Sequence, residues 1–315
     1  MTTPAGASGT GQDNNLVALS LMSGAMMIVP IMDVIAKYLA VSLPPLEVTF
    51  GRFAFQLVIS LAAALLTWNL KGLRSRRPAV NYLRGILLSA AVLCFFTAVK
   101  YMPVATAISI FFVEPMILTI LAALILKEKV GLRRVTAILT GLAGALIILR
   151  PSFVEVGPAS LLPLLAATFF ATYLLLNRLY AGADGLLAIQ FSAGLAGSIV
   201  LGIALLIGTL SGQPDYSFVV PDLSQTGFLF AIGAISFVGH GLVVAAFQKG
   251  EAALLAPLQY LEIVSATLFG FLVFGDFPDG PTWVGIALIV GSGLYITQRE
   301  RVLNRRRANE PAAKL

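Results

Sequence analysis

The sequence is short of charge. Asp, Glu, Lys and Arg make up 11% of its 315 residues, against about 25% in a soluble domain. It holds one cysteine, Cys94, and one histidine, His240. A lone cysteine excludes an internal disulfide. One of each cannot build the usual His/Cys zinc site, so no metal and no cofactor is expected. No GxxxxGK[ST] stretch occurs, so nothing supports ATP drive within this chain. The opening MTTPAGASGTGQDNN lacks the basic start of a signal peptide and reads as a disordered tail, residues 1–15.

What is present is apolar sequence: 58% hydrophobic residues, with mean hydropathy +0.92. No soluble core could hide so much of it. The chain reads as an all-α integral membrane protein, helical because the apolar runs are long rather than short and alternating. Breaking those runs at charges, turns and Pro/Gly clusters predicts ten transmembrane helices: 16–40, 46–70, 81–100, 104–127, 133–150, 158–181, 186–209, 225–248, 252–275 and 281–298. Each is near the roughly 20 residues that cross the hydrocarbon.

The net charge of +6 could suggest nucleic acid, but the basic residues border the apolar runs and read better as topology signals. With the N-terminus inside, the inner loops carry Lys71, Arg74, Arg76, Arg77, Arg84, Lys127, Lys129, Arg133, Arg134, Arg178 and Lys249. The tail 299–315 adds six more. Only Lys37, Lys100 and Arg150 fall outside, and Arg52 lies within a span. This asymmetry predicts that both termini are cytoplasmic.

Residues 96–128 align with 244–276 without a gap, at an offset of 148 residues. Ala105, Glu114, Thr119, Leu124 and Glu128 meet Ala253, Glu262, Thr267, Leu272 and Asp276. Five spans per half is an odd number, so the second half must enter the membrane upside down. Two inverted five-helix repeats, 16–150 and 158–298, are a recurring design of secondary transporters.

The stretch 101–153 carries Pro103, Ala105, Ala107, Pro115, Glu128, Arg134, Gly141, Gly144 and Pro151. In that order and spacing these residues resemble the EamA-like branch of the drug/metabolite transporter superfamily, as do the two five-helix halves and the basic inner ends. The resemblance covers essentially all ten spans. The second half follows it less closely: Asp276 stands where a Glu is expected, and no arginine matches Arg52. It implies a carrier for a small organic metabolite in a bacterial plasma membrane. Relatives in that branch move amino acids, riboflavin, S-adenosylmethionine, metallophores and toxic organics, so the resemblance implies a menu of substrates and leaves direction open. The partners are then a metabolite and the lipid bilayer, with no nucleic acid; a homodimer stays open.

The candidate site rests on intramembrane polar residues. Glu114 and Glu262 each lie ten residues into a span of 24. A carboxylate facing lipid costs about 2.5–3.5 kcal/mol, so each should face a cavity, a cation or a proton. One reading makes them proton or cation sites; the other makes them hydrogen-bond donors in helix packing. Pro115 removes a backbone donor and pushes on the carbonyl of Phe111, so it reads as a hinge or a plain kink. Pro257 reads the same way in the ninth span. Asp33 and Lys37 stand at i,i+4, acid first, and are expected to pair with each other rather than with substrate. Arg52 pairs with Glu47, snorkels outward, or holds an anionic group of the substrate. His240, between two glycines, either packs or lines the cavity. Tyr173, Asn177, Arg178, Gln190 and Tyr260 are further wall candidates. On a continuous helix Tyr260 and Glu262 are roughly 200° apart and cannot share one narrow cavity, whereas Gln259 and Glu262 can. Thr140/Gly144, Gly141/Ala145 and Ala193/Gly197 are small-residue pairs suited to close helix packing.

The competing class is an integral membrane enzyme acting on a lipid or membrane-embedded substrate. It needs a nucleophile–base pair, a metal cluster or an acidic phosphate-binding motif, and none is evident.

Overall fold

The computed structural model describes residues 9–127, 132–180, 184–249 and 252–309. Among them every regular element is helical: α1 (Gly9–Leu39), α2 (Pro45–Leu66), α3 (Pro78–Tyr101), α4 (Val104–Phe111), α5 (Glu114–Ile125), α6 (Leu132–Val156), α7 (Leu162–Leu179), α8 (Leu186–Leu210), α9 (Leu223–Lys249), α10 (Ala252–Gln259), α11 (Leu261–Phe274) and α12 (Gly280–Asn309). Short 3-10 turns at Leu70–Leu73, Gly157–Leu161 and Pro214–Tyr216 lie between them.

Local chemistry sets several ends. Proline stands in the first turn of α2, α3, α5 and α7, where its missing N–H costs nothing. Before α9 a reciprocal cap forms: the Gln225 N–H donates to Asp222 Oδ1 (2.7 Å), and the Asp222 N–H donates to Gln225 Oε1 (2.8 Å). The Asp279 side chain accepts from the Thr282 N–H at the start of α12 (2.9 Å). Gly275, at φ +73°, closes α11 in the left-handed conformation that glycine adopts freely.

Among the described residues, eight helical segments are long and apolar enough to cross a membrane. One of them, Val135–Leu179, is 45 residues long and holds most of α6 and all of α7; Gly280–Tyr295 is a shorter apolar helix. The expected fourth and ninth spans are each broken into two helices. Helix α1 starts at Gly9, inside the expected tail, and α12 runs to Asn309, beyond the expected end of the last span. Glu128, singled out with Asp276 by the repeat, lies outside the described residues, as do Lys129 and the last six positions.

The helices pack α1 on α9 and α11, α3 on α7 and α8, α2 on α8 and α9, α5 on α7, α4 on α11, and α6 on α12. The α6–α12 contact brings backbone against backbone. A Cβ on Gly144 would lie 2.9 Å from the Gly285 carbonyl oxygen, and one on Gly285 would lie 2.7 Å from that of Gly144. Leu139, Leu146, Leu206 and Leu272 are each more than half exposed. In water such a belt would be a liability; in hydrocarbon it is the solvent-facing surface.

Candidate functional site

Two interrupted helices carry the two glutamates. In the first, Pro115 offers no N–H to the carbonyl of Phe111. The Phe112 N–H still reaches Ile108 O (3.0 Å), but those of Met116 and Ile117 both turn to Val113 O (3.0 and 3.1 Å). The ladder therefore breaks at residues 112–113, and Glu114 becomes the first residue of α5. In the second, the Tyr260 N–H donates to Pro257 O (3.3 Å) and the Ile263 N–H to Tyr260 O (3.2 Å), and the break falls at Tyr260. Pro257 sits inside α10, ahead of that break rather than in it. Gln259 closes α10, and Glu262 is the second residue of α11.

Phe112 and Tyr260 stand 148 residues apart, the offset that pairs Glu114 with Glu262. Their rings meet where α4 and α11 touch, with centroids 5.2 Å apart and planes at 35°. Tyr260 also lies within electrostatic reach of Glu114. Residue 260 lies at a break, so Tyr260 reaches the glutamate of the other half, Glu114, and no contact joins it to Glu262 among the described residues. Glu114 is buried, and its Oε1 has no hydrogen-bond partner among the described residues.

Asp33 and Lys37 do not pair. Lys37 binds Asp276, on the turn after α11, and its ammonium lies 4.8 Å from the centre of the Phe274 ring. The long lysine stem reaches the half-exposed end of the helix, whereas Asp33 lies one turn deeper and is buried. There Asp33 is within electrostatic reach of Arg52 and Glu262. Arg52 neither snorkels nor pairs with Glu47: it is 1% exposed, with its guanidinium 4.4 Å from the centre of the Phe53 ring. Glu47 instead accepts the Val219 N–H at 2.9 Å. The Arg52 Nε and Nη1 have no hydrogen-bond partner among the described residues.

A cavity of about 250 Å³ runs from Gln56 in mid-α2 to Asp184 in the α7–α8 connection. Its wall includes Arg84, Tyr173, Asn177, Tyr180, Gln190 and His240. His240 therefore lines a cavity, held by a hydrogen bond between Nδ1 and Ser236 O (2.8 Å). Tyr173, Asn177 and Gln190 join it there; Glu114, Glu262, Asp33, Lys37, Gln259 and Tyr260 are not in its wall. Gln56, Arg84 and Asp184 were not singled out as wall residues. Gln56 stands one helical turn from Arg52, a spacing that could have revealed it. Its amide donates to Gln190 Oε1 (3.1 Å) and accepts from Ser236 Oγ (3.4 Å), tying α2 to α8 and α9. Arg84 donates to Asn81 Oδ1 and Leu176 O, both at 2.8 Å.

At the mouth of this cavity Asp184 gathers the α2–α3 connection. It accepts from the Arg76 N–H (2.5 Å), the Asn81 amide (2.9 Å) and Ser75 Oγ (3.1 Å). Partial burial alone would raise its carboxyl, but these donors outweigh burial and hold Asp184 below the usual carboxylate range. The opposite end of the molecule carries the Lys37–Asp276 pair and a long Lys100–Asp215 contact of 3.8 Å.

The EamA-like transporter family matches residues 16–150 and again 157–298. The chain belongs to this family. It is a multi-pass membrane transporter of the drug/metabolite transporter superfamily and not an enzyme, so the membrane-enzyme alternative falls. An S-adenosylmethionine uptake transporter of Rickettsia bellii is 28% identical over 85% of this chain and 89% of that protein. A riboflavin transporter of Vibrio cholerae is 31% identical over 89% and 92%. A pseudopaline exporter of Pseudomonas aeruginosa is 26% identical over 86% and 92%. One solved crystal structure superposes with TM-score 0.60 at 20% identity, over 93% of this chain and 99% of that one; it shows the fold.

Proposed function

We infer that this EamA-family chain is a secondary carrier that moves a small organic metabolite by alternating access across a bacterial inner membrane. Ten transmembrane helices form two inverted halves, with both termini in the cytoplasm. Helices α6 and α7 cross separately, since the roughly 67 Å that 45 helical residues would span is twice a hydrocarbon core. Gly280–Tyr295 adds the short tenth crossing.

The packing supports the inversion. Exchanging the halves turns α1 on α9 into α7 on α3, α2 on α9 into α8 on α3, and α1 on α11 into α7 on α5, and all of these contacts are present. The pairs α2–α8 and α6–α12 map onto themselves. The observation that carries the reading is the matched pair of breaks. Each half interrupts one helix just before its glutamate, and the residues at the breaks, Phe112 and Tyr260, face each other. In this reading Glu114 and Glu262 are proton or cation sites and the breaks are hinges, with Pro115 forming one and Pro257 loosening the other. Interrupted helices at mid-membrane commonly hold the coupling ion and the substrate of such carriers. S-adenosylmethionine and riboflavin, named for the relatives, are the first substrates to try.

Uptake into proteoliposomes with and without an imposed pH gradient tests this. Flux driven by the gradient is expected, with Glu114→Gln and Glu262→Gln flattening its pH dependence more than they lower the folded yield. Both variants keeping the wild-type pH profile would refute the coupling role. Absence of saturable flux for any metabolite would refute the carrier.

A further inference from the structure

Arg52 is a buried cation with nothing closed upon it. Two of its nitrogens lack partners, and no ion pair reaches it among the described residues. An uncompensated buried guanidinium is strongly unfavourable. A carrier tolerates one where a group on its cargo supplies the missing partner. Arg52 is not itself in the cavity wall, but two observations place it next to that wall. Gln56, one turn along the same face of α2, lines it. Tyr173 and His240, both in the wall, lie within electrostatic reach of Arg52. The Phe53 ring lies 4.4 Å from the guanidinium, and Nε and Nη1 are left without a partner among the described residues. A planar guanidinium with free edge donors suits a carboxylate. Asp33 and Glu262 lie close enough to one another to interact, and Asp33 to interact with Arg52, without hydrogen-bonding it. They present negative charge near Arg52.

We propose that this site takes a small zwitterion, its carboxylate on Arg52 and its cationic group toward Asp33 and Glu262. The proposal rests on the carrier reading and names its substrate class. The substrate enters from the Asp184 end, past Arg84, and its carboxylate completes Arg52. The charges of cargo and site then cross as a neutralised cluster rather than as bare ions. S-adenosylmethionine has this chemistry, with a carboxylate, an ammonium and a sulfonium; riboflavin has no carboxylate.

The test uses the purified full chain and four probes: S-adenosylmethionine, a mixture of α-amino acids, the methyl esters of both, and riboflavin. The readouts are thermal stabilisation and equilibrium binding. One carboxylate probe is expected to bind, and its ester to bind at least about 30-fold more weakly, the ordinary loss when a buried charged partner is removed. Arg52→Gln should abolish the difference between acid and ester, and Arg52→Lys should keep part of it. Since Arg52→Gln could simply misfold, Gln56→Glu is the second variant. It places a carboxylate one turn from Arg52 and gives up the amide donation to Gln190, so its melting temperature is read alongside; in the folded variant the carboxylate should displace the ligand's own. The proposal is overturned if the ester binds as well as the acid, if Gln56→Glu leaves binding unchanged, if riboflavin is the tightest probe, or if none binds. Riboflavin flux without zwitterion binding would leave the carrier reading standing and remove this one alone; no flux of any probe removes both.

Discussion

Replacing Gly293 by alanine tests the helix crossing on which the site is built. A Cβ there would lie 1.6 Å from the Tyr260 hydroxyl oxygen and 2.8 Å from Cζ, where ordinary contact begins at 3.4 Å. The ring must retreat by about 2 Å, or α12 must move away. Neither is free, because Phe112 stacks on Tyr260 at 5.2 Å. Overpacking of this kind costs about 1–3 kcal/mol, and a disturbed aromatic pair adds about 0.5–1.5 kcal/mol. Gly293→Ala should therefore lower the melting temperature of the purified protein and slow transport. Tyr260→Phe removes the oxygen in the way and leaves Cζ, from which a shift of well under 1 Å gives relief. The double variant Gly293→Ala/Tyr260→Phe should thus be more stable than Gly293→Ala alone, with a coupling of at least about 1 kcal/mol in the mutant cycle. An alanine tolerated without loss, or effects that simply add, would show that Tyr260 does not sit over α12 as described.

Other expectations follow from the same geometry. Lys37→Asp or Asp276→Lys alone should favour opening at that end, and the charge-swapped double variant should restore closure. The two side chains are 17% and 26% exposed, so the shift is about 1 kcal/mol, or fivefold in population, the upper end for a pair that still meets solvent, read by labelling of a cysteine placed nearby. Pro115→Ala should heal the break between α4 and α5 and reduce flux without lowering stability, since it returns a donor to the Phe111 carbonyl; transport at the wild-type rate would mean that the break is incidental. The Asp184 carboxyl is held low in the folded protein, so its contribution is complete above the ordinary aspartate value near 4 and disappears as pH falls through the lower folded value. Below about pH 4 the melting temperature should fall more steeply in the wild type than in Asp184→Asn, which has already lost that contribution; identical slopes would refute this role.

Much of the fold is legible because hydrocarbon imposes one period and one length on every crossing. The glycines at 141 and 144 and the 148-residue offset can be read from letters alone, whereas the starts of α2 and α3 at Pro45 and Pro78 fall one and three residues before the expected spans. The small pair Gly141/Ala145 lies on α6, whose Gly144 backbone meets α12, and Ala193 lies where a Cβ on Gly85 would meet it at 2.9 Å. Side-chain partners were harder to read. Lys37 chose Asp276, 239 residues away, over Asp33 at four, because a lysine stem follows the gradient toward water while an aspartate stays where its backbone puts it. Arg52 stayed buried because it points among other helices, within electrostatic reach of Asp33 on α1, Tyr173 on α7 and His240 on α9. Tyr260 reached Glu114 because its helix stops there. Each of these depends on which helix lies across the way, and spacing along one helix carries no record of its neighbours.

The carboxylate of Asp184 is held by a backbone amide, a hydroxyl and a side-chain amide, all neutral donors, while the far end depends on a lysine and an aspartate. Dissolved electrolyte weakens charge pairs more than bonds from neutral donors, and at the far end it reaches the exposed Lys100–Asp215 contact first and the Lys37–Asp276 pair less. Salinity therefore acts on this molecule as a one-sided lever: brine loosens the Lys37 face, and the Asp184 face keeps its grip.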